Sequence, residues 1–111
     1  MREAHALAAD EENPFSGQGA VLLDIGGDIG AMVVTLDRSA LGTELHLRSE
    51  AEPNRDVHTG VWERDLGGGR VTAAVFAELV EGAYEVLDAR GMGVLRVEIT
   101  GGRVTEIDLR A

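Results

Sequence analysis

The last third of the chain alternates apolar and polar residues, and glycine interrupts the alternation. Three such runs follow one another between Gly82 and Arg110, beginning at Ala83, Gly93 and Arg103. A period of two places the apolar side chains on one face of a strand, and glycine between the runs permits tight turns. The pattern therefore predicts three consecutive, half-buried antiparallel strands, and it restricts the chain to a fold built from β-sheet.

The same pattern recurs upstream, and no long amphipathic helix interrupts it. A length of 111 residues is typical of one domain. We therefore expect an all-β fold over residues 20–111, a single antiparallel β-sandwich of about seven to eight strands or a small barrel. The five upstream strands are predicted at Ala20–Ile25, Ile29–Leu36, Thr43–Glu50, Val57–Leu66 and Arg70–Leu79.

The first nineteen residues differ from the rest of the chain. Met1–Glu12 is rich in alanine and glutamate, which favours a short helix. Asn13 and Pro14 end that helix, because the residue before a proline is disfavoured in the helical conformation. A helix of this length is marginal alone in water. Residues 1–19 are therefore predicted to form a short arm, either flexible or docked as a short helix.

Charge and composition exclude several classes of function. Twenty acidic residues face ten basic ones, and the formal net charge of −10 repels nucleic acid and anionic lipid. Cysteine is absent, which removes disulfides and thiolate chemistry. The sequence contains no apolar run long enough for a signal peptide or a membrane span. We expect a cytoplasmic protein without a nucleic-acid or membrane partner.

The sequence predicts no catalytic residue and no cofactor. Motifs typical of serine hydrolases and zinc proteases are missing, although catalytic groups can also converge from distant strands. The glycine-rich stretch Asp24–Gly30 is followed by a strand pattern rather than by the helix that a phosphate loop requires. It is interpreted as a hairpin turn. An enzyme is accordingly the least favoured of the functions considered.

Two of the three histidines, His46 and His58, flank a turn at Pro53. They point outward together if the apolar residues beside them share the buried face. With Glu44 or Glu63 they would then form a weak surface site for a transition metal. A shift of one residue in register would separate the pair. The alternative is two solvated histidines on a charged face.

Trp62 is the single tryptophan of the chain, and it lies between polar neighbours in its predicted strand. An exposed tryptophan beside an arginine is typical of binding surfaces. Trp62 and Arg64 are therefore predicted to lie at an interface with a partner or with a second copy. The alternative is a tryptophan in the core.

The segment Leu79–Tyr84 and the strands after it resemble the closing hairpin of prealbumin-like sandwiches, including carboxypeptidase regulatory-like domains. The matching residues are Gly82, Tyr84, Gly101 and Gly102, and the resemblance implies a β-sandwich. The version of this fold with a Lys–Asn cross-link is excluded because the chain has no lysine. The stretch 21–34 resembles short actinobacterial proteins of unknown function, which implies no activity.

The function predicted from the sequence is that of a non-catalytic binding or accessory module. It would act through protein–protein contact or self-association, and a dimer is plausible. The first alternative is a protein that binds a small ligand or a transition metal through a face formed by His46, His58 and Trp62. The second alternative is an enzyme on a β-sandwich scaffold.

Overall fold

The computed structural model describes residues 25–65 and 68–111, which form an all-β domain, as predicted. The predicted arm and nearly all of the predicted first strand lie outside the described residues. One short 3-10 helix, Arg38–Ala40, follows the first described strand, and no described helix has the length and apolarity to cross a membrane. The strands are β1 (Ile29–Leu36), β2 (Glu44–Ser49), β3 (Val57–Asp65), β4 (Arg70–Val80), β5 (Gly82–Leu87), β6 (Gly93–Ile99) and β7 (Val104–Asp108).

The seven strands form one sheet in the order β6-β5-β2-β3-β4-β1-β7, and this sheet nearly closes into a barrel. β3 joins its two halves. Residues 57–60 of β3 pair with β2, whereas residues 61–65 pair with β4. Residues 70–74 of β4 pair with β3, and the pairing of β4 with β1 extends as far as Val80. The first half of β3 therefore separates from the second half of β4, and the barrel wall opens at that end.

The interior is mainly aliphatic, and β4 is apolar on both faces. Ala74 and Phe76 of β4 face the main core, while Ala73 and Val75 belong to a smaller cluster on the outer side of the same strands. Burial of one large apolar side chain contributes about 1.5–3 kcal/mol to stability. Among the described residues, the largest fully buried side chains are Met32, Val34, Val61 and Val86.

The last strand departs from the expected order. β5 and β6 form an antiparallel hairpin, but β7 pairs in parallel with β1, so the sheet is mixed rather than wholly antiparallel. The turn between β6 and β7 docks on the start of β1. There Gly102 N donates to Ile29 O over 2.8 Å, and Ala31 N donates to Arg103 O over 3.0 Å. These hydrogen bonds direct β7 along β1 instead of back along β6.

Gly101 permits this docking because it has no side chain. A Cβ built at Gly101 would collide with the backbone carbonyl oxygen of Gly27 and lie 2.8 Å from the Cα of Asp28. Backbone cannot move aside as the tip of a flexible side chain can. The close approach of these two turns therefore requires glycine at this position.

Replacing Gly101 with alanine is expected to lower the free energy of unfolding by about 1–3 kcal/mol, the usual effect of overpacking a tight contact. Urea unfolding measures the change. Gly68→Ala is the matched control, because a Cβ at Gly68 meets no atom within 4 Å. The control is expected to stay within about 0.5 kcal/mol of the parent protein. Equal losses in the two variants would contradict the proposed role of the contact.

Candidate functional site

His46 of β2 and His58 of β3 are direct cross-strand partners. The chain neighbours of His46, Leu45 and Leu47, are buried, so the alternation of side chains along the strand places His46 on the outer face. The two imidazole centroids lie 5.0 Å apart, and the ring planes are inclined by 33°. The histidine side chains are 43% and 42% exposed, which leaves both open to a ligand from solvent. The register thus brings the two histidines together on one outer face.

Asp56 lies between the two histidines. It ends the turn that leads into β3, and each of its carboxylate oxygens faces one imidazole. Oδ1 lies 3.3 Å from Nδ1 of His46, and Oδ2 lies 3.2 Å from Nδ1 of His58. One ligand atom from each of the three residues falls within 4.8 Å of the others. We call these three residues the His–Asp–His cluster.

The pKa of the Asp56 carboxyl is lowered in the folded protein. Desolvation acts to raise this pKa, but hydrogen bonds from His58 and His46, together with their charge when protonated, outweigh it. The carboxylate therefore stays ionised and able to act as a ligand at a lower pH than an isolated aspartate.

Of the two glutamates predicted as further metal ligands, one lies beside the cluster and the other does not. Oε1 of Glu44 lies 3.7 Å from Nε2 of His46, at the edge of the cluster. Glu63 forms ion pairs elsewhere, with Arg38 at 3.0 Å and with Arg70 at 3.3 Å. The sequence analysis does not select Asp56, because this residue lies in a polar turn. The one indication in the sequence is its two-residue spacing from His58, since residues two apart in a strand lie on the same face.

The cluster offers two imidazole nitrogens and a carboxylate oxygen, which are common ligands of zinc and of other late divalent transition metals. Three protein ligands leave one or more coordination positions open. A site of this kind, exposed to solvent and incomplete, binds a metal more weakly than a closed structural site with four ligands.

Trp62 and Arg64 also face outward on β3, but only one of them is exposed. Trp62 is 42% exposed, and its indole ring lies over Gly60. Arg64 is 5% exposed, and its Nε donates to the backbone oxygen of Ala73 over 3.1 Å. Arg64 is therefore bound to the backbone of the neighbouring strand. Of the two residues predicted to lie at an interface, only Trp62 is exposed.

No protein-family model, curated protein or solved structure matches this chain. Its function must therefore be inferred from the geometry of the described residues.

Gly60 is expected to determine the position of the Trp62 ring. A Cβ at Gly60 would lie 2.6 Å from Nε1 of Trp62, so Gly60→Ala must displace the indole towards solvent. The tryptophan emission should move to longer wavelength and be quenched more readily by acrylamide. Circular dichroism checks that the variant is folded, and Gly68→Ala serves as the control. An unchanged emission spectrum in folded Gly60→Ala would show that the ring does not lie over Gly60.

Proposed function

We propose that this protein is a non-catalytic binding module that takes up a late divalent transition-metal ion, such as zinc, at the His–Asp–His cluster. The observation that carries the proposal is the convergence of His46, Asp56 and His58 on one point of the outer face.

Preorganisation supports this proposal. The backbone ladder between β2 and β3 already places the two imidazoles opposite each other, so binding need not order a loop to bring them together. The carboxylate of Asp56 supplies negative charge at the site, and the net charge of −10 attracts cations to the protein. A bound ion would replace the protons that the imidazoles otherwise share with Asp56.

A contact with a protein partner or with a second copy is the second candidate function. The observation that favours it is the exposed indole of Trp62 on the outer face of β3, the strand that also supplies His58. Tryptophan is enriched among the residues that dominate binding energy at interfaces. An enzyme on this scaffold stays the second alternative from the sequence, and a cytoplasmic location stays a prediction from it.

Zinc titration by calorimetry tests the metal site. We expect saturable binding, with the affinity lowered about tenfold or more in His46→Ala, His58→Ala and Asp56→Asn, because each variant removes one ligand. Glu63→Gln is the matched control for Asp56→Asn. It removes a carboxylate of the same sheet that is paired with arginines, and should bind zinc like the parent protein. Acidification should weaken zinc binding, since protons compete for the imidazole nitrogens.

Heat that appears only at millimolar zinc would rule out a specific site. A loss in Glu63→Gln equal to that in Asp56→Asn would place the metal elsewhere. Thermal unfolding of each variant separates loss of a ligand from loss of the fold.

Light scattering after size exclusion tests self-association. If Trp62 anchors a second copy, the apparent mass should rise with concentration from 11.8 kDa towards twice that value, and Trp62→Ala should abolish the rise. Val94→Ala is the control, because Val94 is an exposed apolar residue of β6. Runs with zinc and with chelator show whether the metal is required. A mass that stays at that of the single chain in every condition would exclude self-association.

A further inference from the structure

A cleft of about 710 Å³ opens where β3 and β4 separate, at the end of the barrel. Its walls come from the end of β2 and the turn after it, from the first residue of β3, and from the corner between β4 and β5. Pockets for small molecules commonly measure 300–1,000 Å³, and the mouth of a barrel is one of their usual places. The cleft therefore has the size and position of a ligand site.

Apolar side chains line part of the cleft. Ile29, Val57 and Val80 are partly exposed and supply aliphatic surface, whereas Leu79 and Tyr84 line it but are almost fully buried. The Tyr84 hydroxyl donates to the backbone oxygen of Val80 over 2.6 Å, so its one proton is already used. Tyr84 therefore has no free proton to donate to a ligand.

The rim of the cleft is acidic. Glu52, Glu78 and Glu81 line it together with one cation, Arg55. Arg55 is already paired with Glu52, at 3.4 Å, and Glu81 accepts a hydrogen bond from the backbone of Gly101. Among the described residues, none forms a hydrogen bond or an ion pair with the side chain of Glu78. The carboxylate of Glu78 therefore lies at the cleft without a cationic partner among the described residues.

We infer that this cleft is a second binding site, and that it takes a small apolar molecule bearing a cationic group such as an ammonium. The apolar body would lie on Ile29, Val57 and Val80, and the cation would approach Glu78. An anionic ligand would meet three carboxylates and only one guanidinium, which is already paired. This inference does not depend on the metal site, because none of the three residues of the His–Asp–His cluster lines the cleft.

Two probes with the same body and opposite charge test the inference: phenylethylammonium and 3-phenylpropionate. Each is titrated into ¹⁵N-labelled protein in the presence of chelator. We expect saturable amide shifts with the ammonium probe at residues 49–57 and 78–84, and weaker binding of the carboxylate. Because the rim is open to water, Glu78→Gln should lower the affinity for the ammonium only about two- to fivefold. Glu78 is exposed, so the variant is expected to fold.

Glu106→Gln is the matched control. It removes one exposed carboxylate from β7, which does not line the cleft, and therefore changes the net charge equally. Its affinity for the ammonium should equal that of the parent protein. The inference is overturned if neither probe gives saturable shifts at the cleft, if the carboxylate binds as well as the ammonium, or if the two variants lose affinity equally. None of these outcomes bears on zinc binding, which is measured without either probe.

Discussion

The pairing register between β2 and β3 decides what the outer face of the barrel presents. Leu45, Leu47 and Val61 are buried in the main core, and their burial holds the ladder in the register that opposes His46 to His58. A slip of β2 by one residue would turn Leu45 and Leu47 to water, at about 1.5–3 kcal/mol for each. Hydrophobic burial inside the barrel thus fixes where the two histidines lie outside it.

Much of the fold follows from the period-two pattern. The strand predicted at Ile29–Leu36 coincides with β1, and the runs at Thr43–Glu50 and Val57–Leu66 differ from β2 and β3 only at their ends. Val71–Phe76 is apolar at nearly every position, which agrees with the central place of β4 and its two buried faces. These features can be predicted from the local sequence, because a strand that is packed on both faces needs apolar side chains on both faces.

The remaining features depend on contacts that no local pattern contains. β6 and β7 show the alternation of a hairpin, yet the docking of Gly101 and Gly102 on the start of β1 sends β7 to another neighbour. In the sequence Asp56 is an ordinary turn residue, and only the pairing of β2 with β3 places both imidazoles beside its carboxylate. The cleft likewise arises from β3 changing partner after Gly60, which leaves no mark in the hydrophobic periodicity.

The parallel pairing of β1 with β7 joins the first described strand to the last. Contacts between such distant parts of a chain carry a large loop-closure entropy and form slowly. During synthesis, β1 is made well before Val104–Asp108, so one of its edges has no β7 to pair with until those residues have been made. The nearly closed barrel is therefore completed only when β7 is present, and a product that stops before Val104 would keep an open sheet edge of the kind that promotes aggregation.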